Sequence, residues 1–207
     1  MFKKLDACSN VEDMRDLAKS RLPNAIFHYI DGGSDDEVTY RRNTEAFNTM
    51  DLIPNVLAGV ENVDMSVEVL GCKLDLPIFC SPTALQRLFH HQGERAVAKA
   101  AEKYGTMFGL SSLGTVSLAE INRINSGPKM FQFYFHKDKG LNDAMLVAAK
   151  EANFDILTLT VDTITGGNRE RDIKTGFTSP PTLTPKSVLS FATHPSWTMN
   201  YLLREKF

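Results

Sequence analysis

The sequence predicts an α/β protein built on a parallel sheet, and three observations carry that expectation. Short apolar segments alternate with helix-like segments, and a strand start recurs about every 25–30 residues, the size of a βα unit. Of 207 residues, 43% are hydrophobic and 23% charged, a composition that folds rather than stays disordered. Polar residues gather at the ends of the apolar segments, the edge where parallel α/β proteins place their sites. The chain is long enough for a sizeable core. It is short for a closed barrel of eight βα units, which takes about 250 residues.

Residues 1–50 read as helices. Ser9 and Glu12 stand at capping-box spacing before a helix over 11–22. Pro23 opens a second helix, with Ile26, Phe27 and Ile30 as its apolar stripe, and Gly32-Gly33 stops it. Ser34 or Asp35 caps a third helix running to about Phe47. Residues 67–70 and 73–74 flank Gly71 as a hairpin lid. Strands are predicted at 77–80, 107–110, 130–135 and 156–160, with helices at 93–104, 117–124 and 138–152 between them. The rhythm breaks in a long segment over 165–186, rich in Gly, Thr, Pro and charge. Pro185 opens a short helix to Phe191. Ser196 caps another, with Trp197, Tyr201 and Leu202 on one face. The chain thus divides into helices and hairpin lid (1–76), four strands with three helices (77–164), and a long loop with short helices (165–207).

Charge and composition exclude several classes. Lys+Arg total 23 against Asp+Glu 25, so no basic excess points to nucleic acid. No apolar run approaches the roughly 18 residues of a membrane span. The N-terminus turns polar at Lys3-Lys4 and has no signal-peptide core. Cys8, Cys72 and Cys80 lack metal-ligand spacing and read as idle thiols of a reducing cytoplasm. Adjacent His90-His91 do not face one site, and no third ligand is spaced nearby. Gly166-Gly167-Asn168-Arg169 lacks the G-x-G-x-x-G dinucleotide pattern.

The candidate chemistry lies at the strand ends. Ser81-Pro82-Thr83-Ala84 follow the first strand and Ser111-Ser112 the second. Gln132 and Tyr134 stand on the third, and Thr160-Val161-Asp162-Thr163 end the fourth. Such groups are either loop caps or the lining of one cavity. Gln132, between Phe131 and Phe133, needs partners if buried. Hydroxyls and an amide around one cavity suit a neutral heteroaromatic ligand with a donor/acceptor edge. Asp162 reads equally as a base, a metal ligand, an orienter of a histidine or a structural cap. Tyr29 alone reads as a core tyrosine. Arg169-Glu170-Arg171-Asp172 alternates charge as a solvated face does, with Arg169 also able to fold over a site and meet a carboxylate.

These blocks together resemble a known family. The run from Tyr29-Ile30-Asp31-Gly32-Gly33-Ser34-Asp35-Asp36-Glu37 is similar to the N-terminal signature of FMN-dependent 2-hydroxy acid oxidases and dehydrogenases. So are Pro77-Ile78-Phe79-Cys80-Ser81-Pro82-Thr83-Ala84, Leu110-Ser111-Ser112, Phe131-Gln132-Phe133-Tyr134, Leu159-Thr160-Val161-Asp162-Thr163 and Arg169-Glu170-Arg171-Asp172-Ile173-Lys174. Order and spacing match, and the Gly166–Asp172 stretch resembles the lactate and mandelate dehydrogenase branch.

The resemblance implies a (β/α)8 barrel of the FMN-dependent type, incomplete here at about four βα units, with N-terminal helices. It implies FMN at the C-terminal mouth, with Pro82, Thr83 and Ala84 beside the reactive side of the ring. Ser111, Gln132 and Thr160 would bond the pyrimidine edge. Tyr29, Tyr134 and Arg169 would meet the substrate, and Asp162 would orient the catalytic histidine, so that Tyr134 and Asp162 count as catalytic. It implies oxidation of an L-2-hydroxy acid to the 2-oxo acid, with a quinone, a cytochrome or oxygen as electron acceptor. Leu113 stands where glycolate oxidases carry a bulky tryptophan, which favours lactate or a larger acid. A homo-oligomer is expected of the full-length protein, and a cytoplasmic location with room for peripheral membrane contact through Trp197, Met199, Tyr201, Leu202 and Leu203 beside Arg204 and Lys206.

The family's histidine, its main carboxylate-binding arginine, a lysine and the Gly/Arg-rich phosphate site match no position here. The chain alone is therefore expected to be inactive, with two open sheet edges and an uncovered apolar interior. The competing expectation is a non-enzymatic, self-associating remnant. A barrel isomerase using reduced FMN fits the tyrosine block and the 160–163 block poorly.

Overall fold

The computed structural model describes residues 4–178 and 184–205. Residues 179–183 of the expected long loop, and Lys206 of the expected membrane-contact segment, lie outside the described residues. The first helix, α1 (Val11–Arg21), is capped by Asn10 rather than by Ser9. The Asn10 side chain accepts the Asp13 N–H at 2.8 Å. Ser9 donates its own N–H to the Asp13 carboxylate at 2.9 Å, and Glu12 pairs with Arg15. The cap falls to the residue directly before the first turn, because only its side chain reaches those N–H groups.

α2 (Asn24–Asp31) follows Pro23, whose fixed φ suits a helix entry. Ile26 and Phe27 are buried, whereas Ile30 is exposed. Gly32 ends the helix with ordinary extended backbone at φ −92°. Glycine is required there for space. A Cβ would lie 2.7 Å from the His28 carbonyl oxygen and 3.2 Å from Cδ of Arg171. α3 (Val38–Glu45) starts late and is entered through Glu37 in the left-handed region, without a side-chain cap. Asp35 is unavailable as a cap because its N–H and carboxylate both bond to Asn168.

Strands β1 (Val67–Val69) and β2 (Cys72–Leu74) form the expected antiparallel hairpin, turning at Leu70 and Gly71 with positive φ. Leu74 packs with Met107, Met130 and Ile156, so the hairpin covers the N-terminal end of the sheet, opposite its mouth. The segment 77–80 is reduced to a single bridging residue, Cys80, opposite Phe108. Pro77 and Pro82 bring no N–H, and the Ile78 carbonyl is taken by the Thr106 hydroxyl. α4 (Gln86–Phe89), absent from the sequence reading, and α5 (Glu94–Lys103) follow.

The sheet proper is β3 (Phe108–Ser111), β4 (Lys129–Tyr134) and β5 (Ile156–Thr160), parallel and in sequential order. α6 (Leu118–Ile124), capped by Ser117, and α7 (Lys139–Glu151), capped by Asp138, connect them. Ala98, Ala101, Phe108, Leu110 and Ile121 form one core cluster, and Phe131, Phe133 and Ala149 form another. Register places Phe131 beside Leu157 and Phe133 beside Leu159. Leu157 and Leu159 are each 51% exposed. This refines the expected apolar interior: the inner face is apolar and covered at Met130 and Ile156 and polar toward the strand ends, whereas Leu157 and Leu159 are exposed on the outer, helix-bearing face.

After β5 come α8 (Glu170–Thr175), which the sequence reading missed, α9 (Pro185–Ala192) and α10 (Pro195–Leu203). Thr184 caps α9 in a full capping box with Ser187. His194, not Ser196, precedes α10; Ser196 sits inside it, behind Pro195 at the first helical position. The described residues of Met1–Ala58 and Thr165–Lys206 form one compact unit and those of Gly59–Ile164 a second. No helix among the described residues is long and apolar enough to cross a membrane.

Candidate active site

In the sheet unit, strand register builds a polar row. Ser111 and Gln132 are direct partners on β3 and β4, and Tyr134 and Thr160 are partners on β4 and β5. The Ser111 hydroxyl donates to Oε1 of Gln132 at 3.1 Å, and the Ser112 N–H reaches the same oxygen at 3.3 Å. Nε2 of Gln132 donates to the Thr160 hydroxyl at 2.7 Å. Ser111 and Gln132 are buried, so these bonds settle what unpaired amide and hydroxyl groups would otherwise cost. One Gln132 N–H and the Thr160 hydroxyl proton stay available to a ligand, next to hydroxyl lone pairs. This donor set fits a ring edge of alternating donors and acceptors, such as the pyrimidine edge of a flavin.

The loop after Cys80 joins the row. Gly109 accepts it closely: a Cβ there would lie 2.8 Å from the Cys80 carbonyl oxygen and 2.9 Å from the Pro82 nitrogen. Thr83 is held by its neighbour, the Gln86 amide donating to its hydroxyl at 3.0 Å and to its carbonyl at 3.3 Å. Ala84 precedes Leu85, whose positive φ turns the chain into α4. The Leu85 N–H donates to the Leu113 carbonyl at 3.1 Å, tying this loop to the one after β3.

Behind both loops lies a group that sequence reasoning missed. Glu94, fully buried, accepts the Thr115 N–H at 2.8 Å, the Thr115 hydroxyl at 2.6 Å and the Gln86 N–H at 3.4 Å. Its only sequence signal is an acid in the first turn of a helix. Tyr134 is half-buried at the end of β4, and Asp162 is exposed just after β5. Burial holds the Cys80 thiol above its ordinary pKa, consistent with an unreactive side chain. Among the described residues no cluster of His, Cys, Asp and Glu could hold a metal ion.

The helical unit brings Tyr29 and Arg169 together. The Arg169 guanidinium stands over the Tyr29 ring at 5.0 Å and donates to the Tyr29 carbonyl. Its Nε donates to Asp172 at 2.6 Å. Phe177 stacks on the Tyr29 ring at 4.1 Å and 7°. The charged run at 169–172 is thus not a solvated face. Arg171 bonds Asp31 at 2.9 Å and Glu37 at 2.5 Å, and Arg15 bonds Asp31 at 2.5 Å. Burial pushes the Asp31 carboxyl up, but hydrogen bonds and charge from Arg15 and Arg171 outweigh it and hold it below its ordinary pKa. Glu37 is lowered too, mainly by the Gly33 N–H.

Parallel strands that end in this row of donors and acceptors define a β/α protein with a polar sheet mouth. Residues 18–206 match the model of the FMN-dependent dehydrogenase family, and the chain belongs to that family. It is 40% identical to glycolate oxidase 1 of Oryza sativa subsp. indica over 179 residues, 86% of this chain and 48% of the relative. It is 36% identical over 204 residues to a Mycobacterium tuberculosis protein named provisionally as an L-lactate dehydrogenase, 98% of this chain and 49% of the relative. Among solved structures, the monotopic membrane protein (S)-mandelate dehydrogenase superposes with a TM-score of 0.89 at 32% identity, over 97% of this chain and 53% of the other. The fold is therefore the (β/α) barrel of the FMN-dependent type, present in part. The chain spans about half the length of the curated relatives it matches. The family is one of FMN-dependent dehydrogenases, and its cofactor, FMN, agrees with the donor set.

Proposed function

We propose that this chain supplies the ring-edge and carboxylate-facing part of an FMN-dependent oxidoreductase acting on L-2-hydroxy acids, lactate-like rather than glycolate. The observation that carries it is the buried amide of Gln132 held between Ser111 and Thr160. FMN, when bound, supplies the electron sink. Ser111, Gln132 and Thr160 would hold the ring edge, and the backbone of Pro82, Thr83 and Ala84 would border the ring. Tyr29 donates its hydroxyl to the substrate carboxylate, and Arg169 adds a charge-assisted bond. Tyr134 faces the reacting carbon. Asp162 holds a histidine that this chain does not contain, and stabilises it once protonated. The reaction removes the hydroxyl proton and the α hydrogen with two electrons, leaving a 2-oxo acid. Leu113 is exposed at the loop after β3 and leaves room for a side chain longer than that of glycolate. The acceptor is a quinone, a cytochrome or oxygen.

None of the 207 residues matches the family's base or phosphate site, so the chain alone is expected to bind flavin weakly and not to turn over. Flavin fluorescence titration and an L-lactate assay with an electron acceptor test this. Saturable quenching without turnover is expected. Turnover by the purified chain refutes the inactivity, and no quenching refutes the ring site.

Membrane contact is assigned to α9 and α10. Val188, Leu189, Met199, Leu202 and Leu203 are exposed there, next to Arg204. Trp197 is not part of that surface. It is buried, stacked between Phe191 at 5.3 Å and Tyr201 at 5.0 Å. Liposome sedimentation of the chain with and without 184–207 decides: equal recovery rejects the contact.

The exposed Leu157 and Leu159 on the open β5 edge favour a second reading for the isolated chain, self-association without catalysis. A monodisperse monomer on gel filtration excludes it.

A further inference from the structure

α8 has six residues, too few to hold a helix by backbone bonds alone. Its place is set by what its side chains reach, and two of the contacts belong to Arg171. One guanidinium nitrogen meets Asp31, the last residue of α2, and another meets Glu37, the residue before α3. The two carboxylates are only 6% and 12% exposed, so these pairs are shielded from water. Gly32 gives the Arg171 stem its room, since a Cβ there would lie 3.2 Å from Cδ. The segment before α8 is held as well, with the Asp35 N–H donating to the Asn168 carbonyl at 2.9 Å. Arg169 lies between these anchors, at the residue that enters α8.

We propose that Arg171 is a positioning residue for the Tyr29–Arg169 pair. By bridging Asp31 and Glu37 it fixes the start of α8, and with it the Arg169 guanidinium over the Tyr29 ring. The functional meaning rests on the reading of Tyr29 and Arg169 as the carboxylate-binding pair. The geometric role does not. Arg15 offers an internal control, because it bonds the same Asp31 but has no link to α8. Removing Arg171 leaves Asp31 with Arg15, and Glu37 with the Gly33 N–H at 3.0 Å, so neither acid is stranded. The Arg171→Lys substitution would keep the charge without the two-pronged fork.

The test is side-chain NMR of the 207-residue chain with labelled arginine, tyrosine, phenylalanine and leucine. In the unsubstituted chain, Arg169 carries the ring-current displacement of a guanidinium over Tyr29. Arg171→Gln loses that displacement, Arg171→Lys recovers part of it, and Arg15→Gln keeps it. The Phe27 and Leu17 signals, which report the packing of α1 and α2, stay in place throughout. An unmoved Arg169 in Arg171→Gln overturns the proposal. So does equal loss in Arg15→Gln, or collapse of the Phe27 and Leu17 signals, since either makes the role general stability. L-lactate is then added. Where the substrate reading holds, Tyr29 and Arg169 respond, and Arg171→Gln weakens the response roughly tenfold, the worth of one charge-assisted hydrogen bond. Silence in the unsubstituted chain removes the substrate reading and leaves the positioning role standing.

Discussion

In the sheet unit, Ser111, Gln132 and Thr160 meet because strand register sets them side by side, and the bonds joining them are between neutral groups. In the helical unit, Tyr29 and Arg169 meet across 140 residues of sequence, held by α8 and by the ion pairs of Arg171 with Asp31 and Glu37. The first cluster inherits its geometry from the backbone ladder. The second depends on charge state and on a helix too short to stand alone. The sheet cluster should therefore respond to packing, and the helical cluster to pH and to single charges.

The largest effect is expected where the sheet unit buries a carboxyl group. Glu94→Ala leaves three donors without an acceptor and should cost about 4 kcal/mol of stability by urea denaturation. A loss below about 1 kcal/mol would show that the two loops do not depend on it. Next is Gly109→Ala, which pushes a methyl group against the backbone of Cys80 and Pro82. It should cost about 2 kcal/mol, and the Thr83 and Gln86 signals should move with it. An unchanged midpoint would mean that the 80–83 loop shifts freely.

Acid should separate the units. Asp31 and Glu37 have folded pKa values below their unfolded ones, so what they contribute is complete above the unfolded values, near pH 4, and fades as pH falls through the lowered folded ones. The charged groups acting on them are Arg15, Arg171 and Arg41, beside the Gly33 N–H, and the arginines keep their charge on acidification. Arg169 should leave the Tyr29 ring below about pH 4, whereas the bonds joining Ser111, Gln132 and Thr160 involve no group that titrates in acid. Loss of both clusters at one pH would refute the contrast. The smallest effect is expected at the half-exposed Arg95–Glu120 pair, where Arg95→Ala should cost about 0.5 kcal/mol.

Much of the sheet unit was legible in the sequence, because apolar period and caps are local signals. Ser117 and Asp138, where two of the predicted helical segments begin, stand at the helix starts as caps, and β5 spans the predicted residues. The segment 77–80 misled because its apolar run reads as a strand while its flanking prolines limit the ladder. The caps of α1, α3 and α10 were misplaced by one to three residues, since several Ser, Asp and Asn compete at each start and the winner depends on partners far away. Arg169 could be singled out from its block, but Arg171 could not. Its partners lie 134 and 140 residues upstream, and a charged run carries no mark of what it meets. Glu94 hid for the same reason, as a first-turn acid that reads as a surface residue.

The most direct test of the central claim is titration of the 207-residue chain with lumiflavin, a flavin ring without ribityl or phosphate, followed by the Gln132 side-chain amide signal in nitrogen-15 NMR. The account predicts that this signal shifts saturably together with Ser111 and Thr160, and that Gln132→Leu abolishes binding. A Gln132 amide that ignores lumiflavin, or a Gln132→Leu chain that binds it equally well, would contradict the assignment of this row to the flavin.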